Sequence, residues 1–171
     1  MKNPGSNEKL KSQFAVDIQI CGATEPDRMI VRQLLAMVNL PADSVETGTT
    51  TFYVASRNGN VVGIAGFEFY GMDVLLRSVA VHPQHQNRGI GERIADFMIS
   101  TARDRHFSRV VLLTETAEKF FARKGFRIVD RSSIINDALR QSAEFTVVCP
   151  ISAVCMVLDL ESKDAEIGNS Q

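Results

Sequence analysis

The order of periodic segments in this chain predicts an α/β (α+β) domain, and three stretches carry that expectation. Residues 75–97, LLRSVAVHPQHQNRGIGERIADF, read as an apolar strand, a polar turn with two glycines and an amphipathic helix. Upstream, the apolar runs 52–55 and 61–70 are joined by Arg57-Asn58-Gly59-Asn60, and Asn-Gly is a strong hairpin signal. Downstream, an apolar strand at 110–113, a helix at 115–124 stopped by Gly125 and a returning strand at 126–129 follow one another.

The remaining elements fill in around these. Phe14 to Ile20 alternates apolar and polar residues, which predicts a first strand. Thr24-Glu25-Pro26-Asp27 has the composition of a helix start, with proline in the first turn, and Ile30, Leu34, Leu35 and Val38 then recur at helical spacing. Leu40 to Thr51 reads as a loop with room for a short helix. The central strand is expected over 74–82. A long helix over 90–105 follows, with Ile90, Ile94, Phe97, Met98 and Ala102 on one face. A short helix over 134–141 and a last strand over 154–160 complete the series. The polar ends, 1–13 and 161–171, are expected to be mobile tails around a domain spanning 14–160.

Bulk composition narrows the function classes. The chain has 171 residues, 44% hydrophobic and 23% charged, enough for one soluble domain with a proper core. A formal net charge of -1 gives no reason to expect nucleic acid or an anionic membrane as partner. No apolar run reaches transmembrane length and the start, MKNPGSNEKLKSQ, lacks an apolar signal core, so a cytoplasmic location is expected. Three cysteines, Cys21, Cys149 and Cys155, cannot all pair within one chain, and reduced thiols suit that compartment. The three histidines, His82, His85 and His106, have no zinc-ligand spacing, so no metal is expected.

The turn Gln86-Asn87-Arg88-Gly89-Ile90-Gly91 points most directly to chemistry. A helix start carries amides without intrahelical acceptors and a partial positive charge. Glycines there let a bulky anion approach the backbone, so the turn reads as a phosphate cradle. An ordinary strand-to-helix turn using glycine for geometry alone is the other reading. A dinucleotide fingerprint would need a third glycine, and a nucleotide P-loop would need Gly-Lys-Ser/Thr; neither is present.

Strand, turn and helix together resemble the acetyl-CoA motif of the GNAT superfamily of N-acetyltransferases, whose pattern is Arg/Gln-x-x-Gly-x-Gly/Ala. Gln86, Gly89 and Gly91 match it position by position. The resemblance covers about residues 14–160 and implies a mixed, mostly antiparallel central sheet flanked by helices. It implies acetyl-CoA as cosubstrate, held by Gln86, Asn87, Arg88, Gly89, Ile90, Gly91 and Glu92, with main-chain groups at Val79, Ala80 and Val81 pairing with the pantetheine arm. Family members are often dimers. A narrower likeness runs through LLTETAEKFFARKGF, VDR, SAEF and CPISAVCM. These segments look like small acetyltransferases labelled arsenic-resistance N-acetyltransferases, which are similar to short glutamate N-acetyltransferases. A small amino-acid-like amine is then the implied acceptor.

Arsenic chemistry itself would need clustered thiolates. Cys149 and Cys155, six residues apart, would lie about 20 Å apart in an extended segment, although Pro150 can bend it.

Acetyl transfer to an amine needs a base, a donor for the developing oxyanion and a way for the thiolate to leave. Glu68, in an otherwise apolar strand on the same face as Val62, Ile64 and Gly66, is the candidate base; a solvated strand-end carboxylate is the alternative. Many family members place a tyrosine four residues before the Gly-Phe pair, where this chain has Phe121. Phe121 can pack against the coenzyme but cannot give a proton. An acceptor carboxylate would call for a guanidinium fork. Arg77 inside an apolar strand and Arg131 after the returning strand are candidates, and Arg77 equally suits a structural ion pair. Ser142 and Glu144 are implied acceptor contacts by likeness to the glutamate enzymes. The expected function is acetyl-CoA-dependent N-acetylation of a small amino-acid-like amine by direct transfer in a ternary complex. A non-catalytic coenzyme A sensor or regulatory module is the alternative, and an arsenic-binding protein on the same fold is a third reading.

Overall fold

A computed structural model describes residues 17–160 of the chain. The expected tails, and the start of the first expected strand, lie outside the described residues. Seven strands form one sheet: β1 (Gln19–Gly22), β2 (Thr51–Arg57), β3 (Asn60–Tyr70), β4 (Asp73–Val81), β5 (Arg109–Thr114), β6 (Arg127–Val129) and β7 (Val154–Asp159). Their spatial order is β1-β2-β3-β4-β5-β7-β6. The β4–β5 pair is parallel, with Asp73 opposite Arg109 and Leu75 opposite Val111. The β1–β2, β2–β3, β5–β7 and β6–β7 pairs are antiparallel. Five α-helices accompany the sheet: α1 (Arg28–Met37), α2 (Asp43–Thr47), α3 (Ile90–Asp104), α4 (Glu118–Arg123) and α5 (Asp137–Arg140). The sheet is mixed and mostly antiparallel, as the family resemblance implies. Among the described residues, contacts gather into two compact units, 17–68 with 76–98 and 69–75 with 99–160, whose boundaries fall within β3, β4 and α3.

In the first unit, Thr24 starts the run into α1 by exchanging hydrogen bonds with Asp27, whose Oδ2 accepts from both the Thr24 N–H and hydroxyl at 2.7 Å. These bonds lower the Asp27 pKa, the backbone one most. A 3-10 turn over Glu25–Asp27 comes first, with Pro26 supplying the fixed φ, and α1 continues from it. Val31, Leu34 and Leu35 form its buried face against Val54, Ile64 and Ala80. The hairpin between β2 and β3 turns through Asn58 and Gly59 at φ 50° and 78°, the left-handed pair that Asn-Gly supplies. Helix α3 lies close on β3: a Cβ at Gly63 would stand 2.6 Å from Ile94 Cδ1 and 3.0 Å from Ala80 O.

In the second unit, Leu75, Val111, Ile134, Leu139, Phe145, Cys155 and Val157 form one apolar cluster. Asp73 is held by two guanidinium nitrogens of Arg109, Nε and Nη2, each at 2.7 Å, and by Asn136 Nδ2 at 3.0 Å. Asn136 also donates to Tyr70 O. The Asp73 carboxylate raises the pKa of Arg109.

Several boundaries differ from the sequence reading. Strand β1 covers Gln19–Gly22 because its pairing with β2 runs from Gln19–Ser56 to Gly22–Tyr53. Helix α4 begins at Glu118, three residues late, since Thr114 Oγ1 takes the Ala117 N–H and holds the preceding residues in a bend. The short helix expected over 134–141 is reduced to α5, capped by the Asn136 side chain on Leu139 N–H. A π-turn over Glu144–Val148 has no sequence expectation.

Candidate functional site

One left-handed residue within β4 and two in the turn after it shape this part of the chain. Ser78 interrupts β4 at φ 55°, and Asn87 and Gly89 follow at 61° and 81°. A non-glycine in that region inside a strand bends it locally. Gln86 Nε2 donates to Val81 O at 3.1 Å, which ties the turn back to the end of its own strand. Helix α3 then starts at Ile90, and its Arg93 N–H is taken by Gly89 O at 3.1 Å. The amides of Ile90 and Gly91 lie ahead of that bond, on the first turn, where no intrahelical acceptor exists. Gly89 needs glycine for its φ. Gly91 does not need it for packing, because an added Cβ would meet only Val81 Cγ2, at 3.7 Å. A glycine not required by its protein neighbours leaves open space at a helix start, which fits an approaching phosphate.

Glu68 and Arg77 meet each other. Arg77 Nη1 lies 2.6 Å from Glu68 Oε1, with both side chains about as buried as core residues, 5% and 6% exposed. Thr50 Oγ1 donates to the same Glu68 oxygen at 2.8 Å. The solvated strand-end alternative for Glu68 is therefore removed: this carboxylate is buried and paired. A buried ion pair of this kind needs its hydrogen bonds, since desolvating both charges is expensive.

Thr50 is the residue that sequence reasoning missed. It precedes β2 and lines a cleft of about 300 Å³ with Gly22, Ala23, Thr24, Arg28 and Tyr53 among the other walls. One signal was available in the sequence. Gly66 interrupts the apolar run of β3, and an added Cβ there would stand 2.4 Å from Thr50 Cγ2. A glycine within a strand marks such a close approach. Arg28 on the cleft wall donates to Glu25 Oε1 at 3.0 Å and to Val45 O at 2.8 Å, and its side chain is 45% exposed.

The second unit brings three other predicted residues into one segment. Arg131 spans it, donating to the carbonyls of Phe145, Pro150 and Ala153. Ser142 Oγ accepts from Phe145 N–H and Ser142 O from Thr146. Glu144 is buried and its Oε1 accepts from the Cys149 thiol at 3.0 Å. The segment between Cys149 and Cys155 turns through residues 150–153, so it is not extended as the 20 Å separation assumed. Cys155 is buried, and desolvation pushes its thiol up to about 11, whereas Cys21 is exposed. Phe121 is 6% exposed, edge-on to Phe120 and Phe126 with ring centroids 5.0 and 5.4 Å away. Among the described residues no three His, Cys, Asp or Glu side chains gather in a metal-binding group, and no helix is long and apolar enough to cross a membrane.

A family model described as an acetyltransferase (GNAT) domain matches residues 48–128, from the approach to β2 through β6. The matched part of the chain, which holds the turn of residues 86–91, is similar to the GNAT superfamily of acetyltransferases. Its curated relatives include an amino-acid acetyltransferase of Mycobacterium tuberculosis, 38% identical over 77 residues that make up 44% of each chain. Among solved structures, an N-acetylglutamate synthase from Neisseria gonorrhoeae, complexed with coenzyme A and N-acetyl-glutamate, superposes with a TM-score of 0.73 at 22% identity. That match covers 84% of this chain and 35% of the synthase chain. A Mycobacterium tuberculosis protein crystallised with CoA and a second ligand gives a TM-score of 0.70 at 25% identity, covering 84% of this chain and 99% of that one. The chain thus spans less than half of the curated relative it matches and about a third of the synthase.

Proposed function

We propose that this chain is an N-acetyltransferase that uses acetyl-CoA to acetylate the primary amine of a small amino-acid-like molecule, by direct transfer with both substrates bound. The observation that carries the reading is the turn of residues 86–91, with glycine at Gly91 where packing does not ask for it. Gln86 holds this turn in place, and the main chain of Asn87, Arg88, Gly89, Ile90, Gly91 and Glu92 is assigned to the coenzyme's pyrophosphate. The main chain of Val79, Ala80 and Val81 is assigned to the pantetheine arm; the Val81 carbonyl already accepts from Gln86. When bound, the coenzyme supplies the activated acetyl group as a thioester.

The acceptor is assigned to the cleft beside Thr50. Glu68 is the proposed base, reached through Thr50, a residue of the cleft wall whose hydroxyl donates to the Glu68 carboxylate. Arg77 holds the Glu68 carboxylate in place and contributes positive charge near the acceptor's own carboxylate. Arg28, 45% exposed, is the cation on the cleft wall itself. Arg131, Ser142 and Glu144 are assigned acceptor contacts by likeness to the glutamate enzymes alone; within the second unit their bonds hold the 142–153 segment together. The M. tuberculosis relative's description as an amino-acid acetyltransferase and the N-acetyl-glutamate in the gonococcal synthase support an amino-acid-like acceptor.

Phe121 favours a second reading. It stands where a proton donor to the leaving thiolate is common, and it is packed between two other phenyl rings. A non-catalytic coenzyme A sensor would not need that proton. Under the catalytic reading the thiolate leaves unprotonated or is protonated through water. A screen of amino acids and amino-acid-like amines for acetyl-CoA-dependent thiol release distinguishes them. Release that depends on the amine supports the enzyme; coenzyme binding without release from any amine supports the sensor.

A further inference from the structure

Arg28 stands where the fold alone gives little reason for a cation. It is the first residue of α1, and a helix start carries partial positive charge that disfavours a guanidinium. No acidic residue lies in the first turn of α1. Of the two anions in the turn before it, Asp27 is taken by the N–H and hydroxyl of Thr24. Arg28 Nη1 donates to the other, Glu25 Oε1, at 3.0 Å, and Nη2 donates to Val45 O at 2.8 Å. The Val45 bond is half-buried and fixes the guanidinium against α2. The Glu25 bond is open to solvent: the two side chains are 45% and 80% exposed, and ion pairs of that kind contribute little. Glu25 and Arg28 are the charged residues on the described wall of the cleft. At about 300 Å³ the cleft is at the small end of ligand pockets and suits a small molecule. Thr50, whose hydroxyl donates to Glu68, is on the same wall. Arg77, 5% exposed and bonded to Glu68, is absent from the described lining.

We propose that Arg28 is the anchor for the α-carboxylate of the acceptor, which replaces Glu25 on Nη1. The inference rests on the acceptor reading of this cleft and narrows it to α-amino acid zwitterions. A guanidinium has five N–H donors, and the bonds to Glu25 and Val45 use two of them. With Nη2 still on Val45 O, Nη1 and the second Nη2 hydrogen form a fork that matches the two oxygens of a carboxylate. Exchanging one carboxylate for another keeps the charge of Arg28 balanced while Glu25 turns out to solvent. The bound carboxylate also gains from the start of α1, where an anion is favoured. One cleft then receives both ends of a zwitterion, Arg28 taking the carboxylate and the Thr50–Glu68 pair the ammonium. An amine without the carboxylate leaves the Arg28–Glu25 pair closed and has no anchor.

The test is steady-state kinetics of the full chain at saturating acetyl-CoA with L-glutamate, L-methionine and L-phenylalanine, each against its α-carboxamide. The carboxamide keeps the shape of the carboxylate and removes its charge. Arg28→Gln should raise KM for the acids about tenfold or more, the weight of one charge-assisted contact. It should move KM for the carboxamides less than about twofold, with kcat and coenzyme A affinity near wild type, because the lost contact is one of binding alone. Arg28→Lys, which keeps the charge without the fork, should fall between. Glu25→Gln removes the competing carboxylate and should lower KM for the acids about twofold or more, leaving the carboxamides unmoved. Equal KM changes for acids and carboxamides in Arg28→Gln, or a KM for the acids that does not fall in Glu25→Gln, overturns the anchor and leaves the acceptor reading intact. Should Arg28→Gln lose coenzyme binding, the Glu25→Gln result decides alone. No acetylation of any of these amines by wild type overturns the acceptor reading and the anchor together.

Discussion

Replacing Arg77 by methionine strips the positive partner from a carboxylate that stays buried. The Arg77 and Glu68 side chains are 5% and 6% exposed, so solvent does little to screen the loss. Breaking such a pair from one side costs about 3–5 kcal/mol. The Thr50 hydroxyl remains on Glu68 Oε1 and keeps the cost toward the lower end. At about 2–4 °C per kcal/mol for a chain of this size, the melting temperature should fall by roughly 6–20 °C. Glu68→Gln in the same background removes the uncompensated charge and keeps the shape. The double variant should therefore recover much of the stability lost by Arg77→Met. Urea denaturation of wild type, both single variants and the double variant at neutral pH gives the coupling energy directly. A loss below about 1 kcal/mol for Arg77→Met, the range of exposed ion pairs, or no recovery in the double variant, would refute the reasoning.

Three further expectations follow from single positions. Gly91→Asp should weaken acetyl-CoA binding more than tenfold, or by more than about 1.4 kcal/mol, while Gly91→Ala stays near native because its Cβ meets only Val81 Cγ2; titration calorimetry on the folded variants checks both. Gly66→Ala should cost about 1–3 kcal/mol of stability through its clash with Thr50 Cγ2, and adding Thr50→Ser, which deletes that methyl and keeps the hydroxyl, should restore part of it in a denaturation series. Alkylation of the native chain near pH 8 should reach Cys21 quickly and spare Cys155, whose burial and raised pKa keep it a neutral thiol; peptide mapping that finds Cys155 modified as fast as Cys21 would contradict its placement.

The elements that local chemistry dictates were legible. Asn58-Gly59 set the hairpin, Thr24 and Asp27 set the start of α1, and the 3.6-residue spacing of Ile90, Ile94 and Met98 set α3. Gly125 stops the chain after α4 at φ 92°, the left-handed conformation that glycine adopts cheaply. The phosphate turn was legible for the same reason, because its glycines answer to backbone geometry and ligand space. What depends on register between distant segments was hidden. Nothing in the sequence around Glu68 or Arg77 says that the two share one hydrogen bond, and Thr50 lies 18 residues from the carboxylate it caps. The π-turn over Glu144–Val148 was hidden too, since it is held by Arg131, whose bonds reach the carbonyls of Phe145, Pro150 and Ala153.

The central claim is that Glu68, through the cleft beside Thr50, takes a proton from an amine that acetyl-CoA then acetylates. Its most direct test is the rate of amine-dependent thiol release by wild type and Glu68→Gln across pH, with acetyl-CoA affinity measured on the same samples. A positioned base contributes about 10²–10⁴-fold, so Glu68→Gln should lower turnover at neutral pH at least about tenfold, leave acetyl-CoA affinity nearly unchanged and recover in part as pH rises and free amine forms unaided. Equal turnover by the two proteins at every pH, or no amine-dependent release by wild type, would contradict the account.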